Sequence, residues 1–113
     1  METLPHPLPD DLVELIARRF RVLGEPSRIR LLDQLREGER SVNDLAAHLG
    51  AGQQNVSKHL CVLAEAGILA RRRDGNHVYY RIVDEGVLGL CEQVCGSLQQ
   101  QLQSLALIVG GPV

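Results

Sequence analysis

Apolar residues recur at helical spacing through most of the chain, and the breaks between these runs are marked by glycine, proline and short polar segments. Leu12, Leu15, Ile16, Phe20 and Leu23 share one face of a first helix that reaches about Leu23, with Asp11 and Glu14 at the spacing of a capping pair. Gly24-Glu25-Pro26 ends that helix and begins a second, since glycine suits a helix end and proline the first helical position. The second runs to about Arg36 and is expected to bury Ile29, Leu32 and Leu35. After a polar connection over Glu37 to Arg40, Ser41 and Asp44 read as the N-cap of a brief third helix with Val42, Leu45, Ala46 and Leu49 inward. Gly50-Ala51-Gly52 is a tight turn. A fourth helix from Gln53 to about Ala66 buries Val56, Leu60 and Leu63, exposes Gln54, Lys58 and Glu65, and stops at Gly67.

The period then changes. Residues 68–73 and 77–82 are rich in β-branched, aromatic and long side chains, and Asp74-Gly75-Asn76 between them carries a hairpin signal, which predicts a two-stranded ribbon with Arg71, Arg72 and Arg73 leading to its tip. Tyr79 and Tyr80 alternate across it, so one packs inward and the other faces out. A last helix from about Glu85 to Val109 has apolar residues at 87, 90, 94, 98, 102, 105 and 109. That stripe exceeds what one subunit of this size can cover, and it predicts a dimer seam.

At 113 residues and 44% hydrophobic content the chain holds one domain with its own core. The expected organisation is a flexible proline-broken arm at 1–9, a folded domain at 10–109 and a tail at 110–113. No run is long enough to span a membrane and the start is acidic and proline-rich, so no membrane partner and a cytoplasmic location are expected. Three cysteines, an odd number placed within helical patterns, read as free thiols. The net charge of −2 excludes a uniformly basic protein, but charge is unevenly spread: residues 50–82 carry +3 while the segments on either side are negative.

That positive segment contains the candidate chemistry. Two helices joined by a glycine turn, the second polar at its start, fit a helix-turn-helix whose second helix enters the major groove of DNA. Gln53, Gln54 and Asn55 can pair with adenine edges, Ser57 and His59 can reach bases or phosphates, and Lys58 can neutralise a phosphate or contact guanine. The hairpin that follows, with Arg71, Arg72 and Arg73, makes a wing along the backbone or the minor groove. A solvated helix face would also look polar, and an arginine run can guard a sheet edge. The order of elements favours the nucleic-acid reading.

The stretches VLGEPSRIRLLDQL, SVNDLAAHLG, QQNVSKHLCVLAEAGIL and RRRDGNHVYYRI closely resemble the ArsR/SmtB family of bacterial winged-helix repressors. The resemblance covers about residues 12–105. It implies a mainly α fold with a small β-hairpin, a winged helix-turn-helix of four helices, two strands and a fifth helix. It also implies a homodimer through the first and fifth helices, which places Leu12, Leu15, Val87, Leu90, Val94, Leu98, Leu102 and Leu105 in the interface. The implied partner is double-stranded operator DNA of imperfect twofold symmetry, with Gln53, Gln54, Ser57, Lys58 and His59 as groove readers and Arg73 and His77 on the wing. At Gly52 relatives often carry a serine cap.

Many members of that family sense metals through a Cys-Val-Cys-Asp arrangement at the start of the third helix, where this chain has Ser41, Val42, Asn43 and Asp44. A second arrangement pairs Asp and His with His and Glu on the last helix; here Asp84 and Gly86 meet Ser97 and Gln100, one ligand of four. Neither set is intact. What remains is Cys91 and Cys95, one turn apart, with Cys61 near the reading face. The pair reads either as a sensor of a thiophilic or transition metal ion or an oxidant, or as small apolar fillers of the seam. An intrahelical disulfide at that spacing would strain the helix. His48 suits a structural place near the end of the third helix, and His6 lies in the arm. The function expected is a dimeric transcriptional repressor released by a metal or thiol-reactive signal. The competing reading is a winged-helix protein-interaction dimer with no duplex preference. An enzyme is not expected, since no cysteine is placed with a histidine and an orienting acid.

Overall fold

A computed structural model of the chain describes residues 4–109, with side chains through residue 106. The start of the expected arm and the whole 110–113 tail lie outside the described residues. Eight elements follow in order: α1 (Asp10–Leu23), α2 (Pro26–Leu35), β1 (Arg40–Ser41), α3 (Val42–Leu49), α4 (Gln53–Glu65), β2 (Leu69–Asp74), β3 (His77–Ile82) and α5 (Glu85–Val109). Packing divides them into two units, one ending at Val83 and one beginning at Asp84.

The helix starts follow local chemistry, with one correction. Helix α1 opens two residues earlier than the Asp11/Glu14 pair implies: Pro9 is the N-cap and no side chain caps it, so Asp10 and Asp11 act in the first turn by opposing the helix dipole. In α2 the Glu25 side chain accepts a bond from the Ser27 backbone N–H at 3.4 Å, and Pro26 takes the first position, where no N–H is needed. Ser41 caps α3, its Oγ accepting from the Asp44 backbone N–H at 3.1 Å. The helix closes at Gly50, which adopts a left-handed φ of 61°.

The core of the first unit is built from Leu31, Leu32, Leu35, Leu45, Val56, Leu60, Leu63, Ile68 and Tyr80. Ile29, expected inside, is 48% exposed; Leu31 completes the inward arc of α2 in its place. The ribbon is also not alone. Arg40 and Ser41, expected in a polar connection and a helix cap, pair with Tyr80 and Tyr79 and add a third strand, giving the antiparallel order β1-β3-β2. Two residues are too few for an alternating pattern to register in the sequence. The hairpin pairs Asp74 with His77, so its loop is Gly75-Asn76, with Gly75 at φ 61° as a two-residue turn demands. Tyr80 is buried and Tyr79 half-buried, as strand alternation requires.

In the second unit, α5 spans Glu85–Val109. Val94, Leu98, Leu102 and Leu105 are all about half exposed or more, and Leu90 is half-buried. Val87, also expected in the seam, is 4% exposed.

Candidate nucleic-acid interface

The turn between α3 and α4 aims a polar helix start outward. The backbone N–H of Ala51 bonds the Ala46 carbonyl at 3.1 Å, which fixes the sharp exit from α3. Gly52 then caps α4 with no side chain, so the first backbone N–H groups of α4 keep their partial positive charge free of any side-chain acceptor. Val56, Leu60 and Leu63 anchor the other face of α4 in the core. Gln53, Gln54, Asn55 and Lys58 are exposed, and Ser57 and His59 are half-buried. The buried Nδ1 of His59 has no hydrogen-bond partner among the described residues.

Helix α4 and the hairpin meet at an open cleft of about 280 Å³. Gln53, Gln54 and Ser57 line it from α4, His77 and Asn76 from the hairpin, and Asn43 from α3. Asn55, Lys58, His59, Arg72 and Arg73 do not line it. Sequence patterning missed Asn43 and Asn76, because a single polar residue in a helix start or a turn has an ordinary local explanation.

The three arginines of β2 do not share a direction. Arg71 pairs with Tyr80, Arg72 with Tyr79 and Arg73 with Val78, so Arg72 lies on the opposite sheet face from its two neighbours. The Arg72 guanidinium sits 4.5 Å from the centre of the Tyr79 ring and donates to both carboxylate oxygens of Glu39, at 2.7 to 3.2 Å. This bond, together with the positive charge of Arg72 and Arg81, holds the Glu39 carboxyl below its ordinary pKa; the same bond, with the negative charge of Glu39 and Asp74, raises that of Arg72. Arg73 has no ion pair among the described residues. Sequence patterning missed Glu39 because its partner is 33 positions away.

Cys61 is exposed, with Sγ 3.8 Å from the Tyr80 hydroxyl. Burial, and then the bond to Cys61, pushes the Tyr80 phenol above its ordinary pKa. On α5 Cys91 is half-buried and Cys95 exposed. No group of three or more His, Cys, Asp and Glu that could hold a metal ion occurs among the described residues. The residues at the start of α3 do not fit a thiophilic ion either: Ser41 Oγ is engaged in the cap and Asn43 offers no thiolate. His48 Nδ1 lies 3.1 Å from the Asp44 carbonyl, one turn back inside α3, and the end carbonyls are met instead by the Gly50 and Ala51 N–H groups.

Comparison with known proteins adds identity to this geometry. Residues 25–71 match the family model of the bacterial regulatory protein, arsR family. The chain is 42% identical over 83 residues to the HTH-type transcriptional regulator KmtR of Mycobacterium tuberculosis, covering 74% of this chain and 64% of that one. It thus spans just under two thirds of that relative's length. Among solved structures it resembles Rv0081 of M. tuberculosis, 36% identical with TM-score 0.76, over 85% of this chain and 97% of the other. It also resembles the homodimeric winged helix-turn-helix DNA-binding domain Mb0332 of Mycobacterium bovis, a possible ArsR-family transcriptional regulator, 30% identical with TM-score 0.75 over 88% and 95%. With α3, the glycine turn and α4 as its helix-turn-helix and β2–β3 as its wing, the chain belongs to the ArsR family of bacterial regulatory proteins.

Proposed function

We propose that the protein is a transcriptional repressor that binds operator DNA as a homodimer, with residues 10–109 as its DNA-binding and dimerisation domain. The observation that carries this reading is the convergence of Gln53, Gln54, Ser57 and His77, from two separate elements, on one open cleft beside the uncapped start of α4. Gln53, Gln54, Asn55, Ser57 and His59 read base edges in the major groove. Lys58, Arg73 and His77 hold the phosphates, and the α4 N-terminus adds its dipole. The local charge of +3 in residues 50–82 supports the same face. No helix among the described residues is long and apolar enough to cross a membrane, which accords with action on cytoplasmic DNA.

Two copies meet through Leu12 and Leu15 of α1 and Leu90, Val94, Leu98, Leu102 and Leu105 of α5, the apolar positions that one chain leaves wholly or partly open. Release is assigned to Cys91 and Cys95, one turn apart on α5, the first half-buried and the second exposed, acting on a soft metal ion or a thiol-reactive compound. The test is selection from a randomised duplex library by the purified protein. Enrichment of an inverted repeat with half-sites about one helical turn apart is the expected result, and a library that stays random overturns the reading. With the selected duplex in hand, titration with metals and oxidants releases the wild type; equal release of the protein carrying Cys91→Ser and Cys95→Ser removes the thiols from the mechanism.

A further inference from the structure

We propose that Glu39 and Arg72 form a clamp that sets the position of the wing, so that Arg72 is a positioning residue for DNA binding and does not itself touch phosphate. The inference rests on the DNA-binding reading above and assigns different work to neighbouring arginines that the sequence presents as one run.

The register explains how the clamp reaches. Arg40 pairs with Tyr80 and Ser41 with Tyr79, so Glu39 lies just outside the ladder, one step beyond Arg40. Arg72 pairs with Tyr79 from the other side. The Glu39–Arg72 bond therefore passes diagonally over the middle strand and ties the lead-in of β1 to β2. The Tyr79 ring between them supports the guanidinium by a cation–π contact. Two-stranded hairpins are marginal by themselves, and β1 contributes only two residues to the sheet. A staple spanning all three strands fixes the hairpin to the segment after α2.

That segment is itself held. Arg36 bonds Asp33 at 2.9 Å, Arg40 bonds Glu37, and the Arg40 Nε–H donates to the Gln34 carbonyl at 3.3 Å. Glu39 is the carboxylate there that faces the wing. The Glu39 side chain is 29% exposed and that of Arg72 46%. The pair is also bidentate and ring-backed, the geometry in which a surface ion pair contributes most.

The same geometry argues against Arg72 as a phosphate contact. If Arg72 swung away to DNA, the Glu39 carboxylate would lose its bidentate partner beside the incoming backbone and keep only the more distant charge of Arg81, so the phosphate gained would be offset by like-charge repulsion. Arg73 faces the other side of the strand with Val78, a residue that lines the cleft, and has no ion pair among the described residues.

The proposal is tested by duplex binding at several salt concentrations for Glu39→Gln, Arg72→Gln, Arg73→Gln and the swap Glu39→Arg with Arg72→Glu. Glu39→Gln is expected to weaken binding about twofold to fivefold although it removes a negative charge near DNA. Arg72→Gln does the same, with the salt slope unchanged. The swap binds better than Arg72→Glu alone, whereas Arg73→Gln lowers the slope by about 0.9. Tighter binding by Glu39→Gln, a lowered slope for Arg72→Gln, or a swap no better than Arg72→Glu alone overturns the clamp. If no variant and no wild type binds duplex, the DNA reading fails by itself and amide exchange over residues 69–82 still judges the clamp. Faster exchange in Glu39→Gln and Arg72→Gln, restored by the swap, supports it; identical exchange in all overturns it.

Discussion

Helices α4 and α5 are both amphipathic, yet they end in opposite conditions. The stripe of α4 is closed: Val56, Leu60 and Leu63 are at most 2% exposed, while Gln53, Gln54, Asn55 and Lys58 face solvent. The outer stripe of α5 is open, with Val94, Leu98, Leu102 and Leu105 between 48% and 66% exposed. One helix is complete in a single chain. The other leaves four large apolar side chains about half exposed or more, and theirs is the face assigned above to a second copy. On the proposed reading, DNA binding and dimer formation draw on separate apolar surfaces, so mutations can separate them.

The same substitution in the two helices gives the sharpest contrast. Leu60→Ala opens a cavity in a filled core and is expected to cost about 2–5 kcal/mol of unfolding free energy, independent of protein concentration, in a denaturant titration. Leu98→Ala removes surface that is half open in one chain, so it leaves unfolding extrapolated to low protein concentration nearly unchanged. It weakens dimerisation instead, by about 2–4 kcal/mol for the two copies together, measured by analytical ultracentrifugation. If Leu98→Ala destabilises the dilute protein as Leu60→Ala does, α5 is finished within one chain and the comparison fails.

Within the face that α4 presents, the next effect is smaller. Gln54→Ala is expected to cost about 1–3 kcal/mol of binding at the selected duplex and to relax base preference at one position. A loss of equal size on random duplex would mean that Gln54 supplies only general affinity. Fluorescence anisotropy with matched and scrambled duplexes measures both.

What the sequence made legible follows from how local each signal is. Val56, Leu60 and Leu63 were readable because a helical stripe repeats within one element, and the Ser41 cap because its bond to the Asp44 N–H spans three residues. The cleft was half readable: Gln53, Gln54 and Ser57 declare themselves together, whereas their meeting with Asn43 and Asn76 depends on how the hairpin folds back. Strand β1 was illegible, since two residues have no period, and without it nothing indicated that Glu39 would lie across the sheet from Arg72. Ile29 was misplaced because Leu31 and Ile29 both fit a short apolar helix and only the packing of α2 chooses between them. The arginine run misled in a related way, reading as one basic patch where strand alternation sends Arg72 and Arg73 to opposite faces.

The smallest effect concerns the junction where the two properties of α4 meet. Gly52 begins α4 at φ −68°, an ordinary conformation for any residue, and a Cβ added there would meet nothing within 4 Å. Gly52→Ser should therefore add a side-chain cap at no steric cost and raise stability by a few tenths of a kcal/mol, seen as a small rise in melting temperature. The gain stays small because glycine is itself a fair N-cap, losing only the side-chain bond while leaving the backbone carbonyl bonded to the Val56 N–H at 3.0 Å. A serine that raised stability by more than about 1 kcal/mol would mean that the start of α4 is frayed in the wild type. The contrast between a finished α4 and an unfinished α5 would then have to be drawn from Val56 onward.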